Sequence, residues 1–398
     1  MSMTRIHAIL AAVLFAGASQ AEPAAIPACD ASGPAVQEIP VSGEPFSAIA
    51  SKDGCTIYVS SRTGRSGRIA AFKRGPNGLS ELGYVSASRA AFGIALTSDG
   101  ALLIVAEGDG VMFVDTARLQ ADRSDAALAY IDDSGRGAIY VATTPDDRLL
   151  FVSDEHSQSI GVIDLAKARS NGFSKDAVLG SIRVGTGPVG LALSSDGRTL
   201  FASAQIVPWP RERVCRPESE RESQHHEGAL LAIDVERTRT DPAHAVIGGV
   251  PAGCNPVRVA LSPAGDRAYV TARGSNALLV FDTAKLKTGN GDALIATITV
   301  GTAPVGVAAV GNMVIVTNSD RFGRGKSENQ TLTVIAADKI GLAADPVIGT
   351  VEVRAFPREL HVTADGKALL VANAGSSSLM LFRLSDMPVK SGSPAAAQ

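Results

Sequence analysis

Short apolar segments alternate with polar turns along the chain, in a motif that occurs seven times. The motif reads Pro-x-Gly-apolar-Ala-apolar-Ser-x-Asp-Gly, most clearly at residues 187–197, and continues as an apolar strand, a polar loop and a second apolar strand. A strand-and-turn repeat of about 50 residues is typical of a propeller with one four-stranded blade per copy. The pattern therefore predicts an all-β, seven-bladed β-propeller. The first positions of the seven copies are Pro45, Ala91, Ala138, Pro188, Pro256, Pro304 and Pro357.

The segments between the turns are rich in β-branched and aromatic residues, which favours strands over helices. The last copy ends near Leu384 after three strands, whereas a spare strand at residues 36–41 precedes the first copy. We expect this spare strand to complete the last blade, because closure removes the open sheet edges. The repeats then fill residues 36–387 as one domain, with tails at residues 22–35 and 388–398.

Two copies contain longer connections between their second and third strands. Copy four has an insertion from Gln205 to Gly228, and copy six has a longer loop from Asn318 to Gln330. Both are predicted to project from the face where the innermost strands begin, which we call the top face. Long loops on one face of a rigid scaffold often bind ligands. The insertion contains Trp209 and is either a solvated flap or a lid that contacts a partner.

The first 21 residues are typical of a secretory signal peptide. Arg5 supplies the positive charge, residues 9–15 are apolar, and Ser19-Gln20-Ala21 is a small-x-small cleavage site. We therefore expect cleavage after Ala21 and a periplasmic or secreted protein with no membrane span. The formal charge of −3 becomes −4 once Arg5 is removed. That balance argues against nucleic acid as a partner, which would require a basic face.

Four cysteines in an exported protein suggest two disulfides, with three possible pairings. The predicted topology places Cys29 and Cys55 at the bottom of the propeller and Cys215 and Cys254 at the top. The expected pairs are therefore Cys29–Cys55 and Cys215–Cys254. The alternative makes Cys29 a lipid-bearing N-terminus, which would leave Cys55 unpaired.

The repeats resemble the bacterial YVTN-type seven-bladed propellers and the related lactonase-like propeller superfamily. Residues 269–272, Tyr-Val-Thr-Ala, nearly reproduce the naming motif, and residues 184–190 and 300–306 match its blade junction. The resemblance covers essentially the whole mature chain and implies the propeller fold. The superfamily includes surface-layer proteins, binding modules, lactonases and cycloisomerases. No catalytic motif of the family maps onto a numbered position here.

The third position of the repeat carries the candidate chemistry. It is Gly in three copies, whereas the others have Ser47, Tyr140, Arg258 and Glu359. These polar groups are predicted to surround the top mouth of the central channel. Arg258 could hold an anionic group, and Glu359 or His361 could move a proton, so these three are the candidate catalytic residues. The alternative is a structural ion pair inside the channel. Candidate ligand-binding residues near the mouth are Tyr140, Arg358, Trp209, His156, Arg273 and Arg321.

Other patterns have simpler interpretations. Residues 185–190 fit G-x-G-x-x-G, but a strand follows them where a dinucleotide site needs a helix. The aspartates that end the third strands, such as Asp115 and Asp282, are predicted to cap turns. Adjacent His225 and His226 point apart on an extended chain, and no Cys or His has zinc spacing. We predict no metal and no cofactor.

Two functions remain. The first is an exported propeller that binds a small polar molecule or a protein partner through its top face. The alternative is a lactonase-like hydrolase or isomerase, of the 6-phosphogluconolactonase or cycloisomerase type, with its site at the channel mouth. An open cavity on which Arg258, Glu359, His361 and Tyr140 converge would favour chemistry, whereas a sealed, ion-paired channel would favour binding.

Overall fold

The protein is a seven-bladed β-propeller, as the repeat predicts. The computed structural model describes residue 29 and residues 34–76, 78–207, 214–215, 225–289, 291–320 and 329–390. Within them, seven antiparallel sheets account for all the named strands. The predicted signal peptide, most of the N-terminal tail, Trp209 and Arg321 lie outside these residues. No helix in the described ranges is long and apolar enough to span a membrane.

The strands follow one another through the blades in chain order. The first strand is β1 (Val36–Pro40). Blade one contains β2 (Glu44–Ala50), β3 (Thr56–Thr63), β4 (Ser66–Gly75) and β5 (Gly78–Ala87). Blade two contains β6 (Ala91–Leu96), β7 (Leu102–Glu107), β8 (Gly110–Asp115) and β9 (Ala127–Asp132), and blade three contains β10 (Ala138–Thr143), β11 (Leu149–Asp154), β12 (Ser159–Asp164) and β13 (Val178–Arg183). Blade four contains β14 (Thr186–Leu193), β15 (Thr199–Ile206), β16 (Val214–Cys215), β17 (His225–Asp234) and β18 (Val246–Cys254).

Blade five contains β19 (Pro256–Leu261), β20 (Arg267–Ala272), β21 (Ala277–Asp282) and β22 (Leu294–Thr299). Blade six contains β23 (Pro304–Val310), β24 (Met313–Asn318), β25 (Asn329–Ala336) and β26 (Val347–Arg354), and blade seven contains β27 (Pro357–Val362), β28 (Ala368–Asn373) and β29 (Ser378–Arg383). Each predicted first position falls within the first three residues of an innermost strand. Short 3-10 turns occupy Lys175–Ala177, Arg237–Arg239, Pro242–His244, Arg273–Ser275, Gly291–Ala293, Ala337–Lys339, Ala374–Ser376 and Leu384–Asp386.

The N-terminal strand closes the ring. β1 pairs antiparallel with β29, from Val36 opposite Phe382 to Pro40 opposite Ser378, which gives blade seven its fourth strand. β1 is the outermost strand of that sheet, so Pro40 needs no partner for the N–H that it lacks. The predicted closure is confirmed.

Blade four carries the predicted insertion between its second and third strands. β17 pairs with β15 on one side and β18 on the other, and its first residues, His225 and His226, pair with β16 inside the insertion. The sheet of this blade therefore has five strands. The longer connection of blade six follows β24, and residues 321–328 within it lie outside the described ranges.

Hydroxyl groups join neighbouring blades near the axis. Ser203 on β15 is fully buried, accepts a hydrogen bond from Gly190 N (2.9 Å) and donates one to Val257 O of the next blade (2.7 Å). Equivalent bonds to the next blade run from Ser60 to Phe92 O, from Ser153 to Val189 O and from Thr271 to Val305 O. Around them, apolar side chains of adjacent sheets interdigitate, such as Phe151 with the side chains of blade four. Apolar clusters of this kind fill the spaces between neighbouring sheets all around the ring.

The aspartates that end the third strands cap turns, as predicted. Asp115, Asp164 and Asp282 accept backbone N–H bonds at the starts of three short helices. These helices are α1 (Thr116–Gln120), α2 (Leu165–Ser170) and α3 (Thr283–Lys287). Asp234 likewise accepts a bond from Arg237 N (3.1 Å). They are separate turn caps, one in each of blades two to five.

The cysteines lie at the two faces that the topology assigned to them. Cys254 is disulfide-bonded, and the side chain of Cys215, its predicted partner, is outside the described part of the structure. Cys29 and Cys55 are free thiols whose side chains hydrogen bond each other, and Cys29 N donates to Asp53 O (3.2 Å). Each thiol also contacts a backbone carbonyl oxygen at 3.7 Å, that of Arg74 for Cys29 and that of Asp53 for Cys55. The Cys29–Cys55 disulfide stays a prediction.

The beginning of the predicted C-terminal tail is ordered against blade six. Lys390 exchanges two backbone hydrogen bonds with Thr350 of β26 (2.8 and 2.9 Å), and its ammonium group bonds Glu352 (2.6 Å). The tail therefore extends the outer edge of blade six by an isolated bridge.

Candidate ligand site at the channel mouth

Every innermost strand carries a β-bulge close to its start. On β27, for example, Pro357 lies opposite Asn373 but Glu359 lies opposite Ala372, so Arg358 is the extra residue. A bulge bends the strand and re-aims the side chains around it. The second and third positions of the repeat are therefore directed by the bulge. The other six innermost strands shift register in the same region.

The second positions of the repeat pack together as an apolar cluster at the axis. Six blades contribute an apolar side chain there: Phe46, Phe92, Ile139, Val189, Val257 and Val305. The seventh blade contributes Arg358. Its guanidinium lies 3.9 Å from the ring centroid of Phe46 and 5.5 Å from that of Phe356, within cation–π distance of both rings. A positive charge is thus held against an otherwise apolar cluster.

Small and large side chains alternate at the third positions. The glycines abut the following blade: a Cβ on Gly190 would lie 2.5 Å from Val257 O, and one on Gly93 would lie 2.7 Å from the Tyr140 ring. Gly306 has Arg358 O 2.9 Å from the same position. A side chain at any of these three positions would therefore collide with the neighbouring blade. The space they leave admits the long side chains of blades three, five and seven.

Arg258 of blade five contacts both Glu359 of blade seven and Tyr140 of blade three. Arg258 Nε donates to Glu359 Oε1, and the Arg258 guanidinium lies 4.6 Å from the centroid of the Tyr140 ring. Arg258 and Glu359 are only 3% and 5% exposed. Burial raises the pKa of the Glu359 carboxyl, and the neighbouring Arg258 opposes that rise. Burial also raises the pKa of Tyr140. The arrangement is the buried ion pair that the sequence left open as the alternative to a catalytic site.

A small pocket opens above this pair on the top face. It has a volume of about 60 Å³. Its polar side forms a relay in which Arg273 Nη2 donates to Gln205 Oε1 (3.0 Å) and Gln205 Nε2 donates to Glu155 Oε1 (2.9 Å). Arg258 Nη1 is buried and has no hydrogen-bond partner. The lining residues are Ile139, Glu155, Val189, Gln205, Val257, Arg258, Arg273, Val305, Phe356 and Arg358.

The predicted site residues divide into those at the pocket and those away from it. Arg258, Arg273 and Arg358 line it together. Glu359 and Tyr140 contact Arg258 but do not reach the pocket lining. Three arginines therefore line the pocket, and the carboxylate that pairs with Arg258 lies outside the lining.

Two predicted histidines do not join the pocket. His361 lies two residues beyond Glu359 on β27, where burial lowers its pKa to about 4. His156 is an exposed residue of the turn after β11, and its backbone N–H donates to Arg136 O (3.0 Å). Neither imidazole is placed to exchange a proton with a ligand bound among the three arginines.

Gln205 and Phe356 line the pocket but were not identified from the sequence. Gln205 lies one residue before the end of β15, and Phe356 directly precedes β27. Their chemistry is ordinary for top-face loops, so nothing in their residue types marks them. The second positions did carry a signal, because six apolar residues in one register make Arg358 an exception.

A second buried polar group lies at the top of blade three. Asp154 is fully buried and neither of its carboxylate oxygens has a hydrogen-bond partner, while Asp133 beside it is nearly as buried. Burial, with the charge of Asp133 adding to it, raises the pKa of Asp154 to about 9, and burial raises that of Asp133 to about 6. No group of three His, Cys, Asp or Glu residues that could hold a metal occurs in the part of the chain described.

Comparison with known proteins identifies the fold. A chain of hydrazine synthase from Kuenenia stuttgartiensis matches with a TM-score of 0.64 at 19% identity, over 88% of this chain and 97% of that chain. A chain of a mitotic checkpoint complex matches with a TM-score of 0.60 at 13% identity, over 94% and 99%. The shared feature is the propeller fold. No family model matches the sequence, and no curated protein matches it.

Proposed function

We propose that the protein is an exported YVTN-type propeller that binds a small polar ligand in the mouth pocket of its top face. The observation that carries this proposal is the position of Glu359 and His361, the two proton-handling candidates that the sequence singled out. A catalytic acid or base must lie within about 3 Å of the reacting group, or one water away. Glu359 is bonded to Arg258 behind the pocket, and His361 lies further along the strand. Of the three candidate catalytic residues, only Arg258 lines the pocket in which a ligand would bind.

The surroundings of the pocket support binding as well. The insertion of blade four follows β15, whose Gln205 lines the pocket, and the disulfide-bonded Cys254 ends β18 of the same blade. Long connections on one face of a rigid scaffold often carry ligand-binding residues. The signal-like residues 1–21 support export to the periplasm or the exterior.

The experiment compares binding with turnover in the same preparation. Purified protein is given a panel of small lactones, and a panel of polar small molecules is screened by thermal shift. We expect no lactone hydrolysis above background and at least one stabilising ligand whose effect is lost in Arg273→Gln. Arg148→Gln is the matched control, since Arg148 is an exposed arginine away from the pocket. Lactone turnover that disappears in Arg258→Ala would refute the proposal and favour the lactonase-like alternative.

A further inference from the structure

We propose that the mouth pocket recognises a carboxylate group. The inference rests on the proposed function and names the chemical class of its ligand. It rests on the net charge of the pocket, on a buried guanidinium donor without an acceptor, and on the volume of the pocket.

The charges around the pocket match a single negative charge. Three guanidinium groups and one carboxylate, Glu155, line it. Glu359 adds a second carboxylate bonded to Arg258 from behind. With both carboxylates ionised, these five side chains carry a net charge of +1, and a carboxylate ligand would neutralise it. A phosphate monoester carries about −1.5 to −2 at neutral pH and would leave excess negative charge.

Arg258 supplies a donor that has nothing else to bond. Its Nε is occupied by Glu359, and its guanidinium is stacked on the Tyr140 ring, so the orientation of the group is fixed. Its Nη1 is buried and unpartnered while the residue lines the pocket. A buried charged donor without an acceptor is unfavourable, and a carboxylate oxygen is the acceptor that a guanidinium binds best. The site is therefore oriented before the ligand arrives.

The volume of the pocket fits the end of a molecule. At about 60 Å³ it holds roughly four water-sized groups. A carboxylate with its adjoining carbon fills that space, and the side chains of Val189, Val257 and Val305 provide an apolar wall for the carbon. The remainder of the ligand would extend outward from the mouth of the pocket. A free organic acid and the C-terminus of a peptide both present this group.

The test is a calorimetric titration at constant ionic strength. The probes are acetate, lactate, inorganic phosphate, sulfate, the neutral isostere acetamide, and one short peptide with either a free or an amidated C-terminus. We expect carboxylate probes to bind, acetamide and the inorganic anions to bind more weakly, and Arg273→Gln to weaken carboxylate binding about tenfold or more. Arg148→Gln should bind as the wild type does. Arg358→Gln is a second pocket variant should Arg273→Gln fail to fold.

The outcomes separate this inference from the function on which it rests. Equal or tighter binding of phosphate, sulfate or acetamide would overturn the carboxylate assignment, as would carboxylate binding that both pocket variants retain. A neutral sugar from the thermal-shift panel that binds the wild type but not the pocket variants would support the binding function and refute the carboxylate assignment. Binding of the free-acid peptide but not its amide supports the inference with a chain end as the source. Binding of the small acids alone supports it with a free acid.

Discussion

The buried pair between Arg258 and Glu359 should behave asymmetrically when its members are removed one at a time. Breaking a buried ion pair by deleting one partner typically costs about 3–5 kcal/mol, whereas replacing both by apolar residues is often neutral. Glu359→Leu leaves the guanidinium without a partner, and an arginine cannot shed its proton. We therefore expect a loss of about 4 kcal/mol in the free energy of unfolding.

Removing the arginine instead leaves the Glu359 carboxylate, which can become neutral by binding a proton. In Arg258→Met the carboxyl of Glu359 keeps the burial that raises its pKa and loses the cation that opposes the rise. Its folded pKa then lies above its unfolded value, so the folded protein binds the extra proton and stability falls as pH rises. We expect Arg258→Met to cost less than Glu359→Leu at pH 5 and to approach it at pH 8.

The assay is urea denaturation of the wild type, both single variants and the double variant, analysed as a double-mutant cycle. The double variant Arg258→Met with Glu359→Leu should unfold close to the wild type, so that the coupling energy is several kcal/mol. Single variants that each lose less than about 0.5 kcal/mol would show a pair that behaves like an exposed one. A double variant whose loss equals the sum of the single losses would also refute the reasoning.

Three further predictions concern the framework. The wild type should lose up to ~1.4 kcal/mol in the free energy of unfolding per pH unit as the pH rises from the unfolded pKa of Asp154, near 4, to its folded pKa of about 9. Asp154→Asn should remove most of this dependence, which thermal unfolding at several pH values in the presence of a chelator measures. A slope that persists in Asp154→Asn would show that another group causes it. Ser203→Ala leaves a buried N–H and a buried C=O unbonded and should cost ~1–3 kcal/mol by urea denaturation, and a loss near zero would contradict the bridging role. Oxidation should join Cys29 to Cys55 and stabilise the protein by about 3 kcal/mol, a gain absent in Cys55→Ser; peptide mapping that finds Cys29 joined elsewhere would contradict it.

The repeat made most of the fold predictable. A motif with a fixed order of strand and turn leaves few alternatives to a propeller, and the spare strand at residues 36–41 identified the means of closure because the last copy lacked one strand. The turn aspartates were predictable for the same reason, since Asp115 and its equivalents occupy one register. The repeat could not predict the conformation of the two long connections, because their sequences do not recur in the other copies.

The candidate site was predictable in part. The third position of the repeat identified Tyr140, Arg258 and Glu359, because a polar residue where other copies have Gly stands out. The sequence could not show that Arg258 and Glu359 bond each other, since they are 101 residues apart and a bulge decides where each side chain points. His361 was grouped with Glu359 by proximity in sequence, yet it does not line the pocket.

Three polar residues that interrupt the apolar or small positions of the repeat lie in the same strand. Arg358, Glu359 and His361 replace residues that are apolar or small in most other blades, and all three lie on β27. The sheet of β27 is complete only when β1 pairs with β29, and the closing blade packs on blade one through side chains such as Leu370 and Ile57. Arg358 reaches Phe46 of blade one across that same junction. The arginine pocket therefore depends on ring closure, because Arg358 of its lining and Glu359, which binds Arg258, are both held by the blade that the N-terminal strand completes.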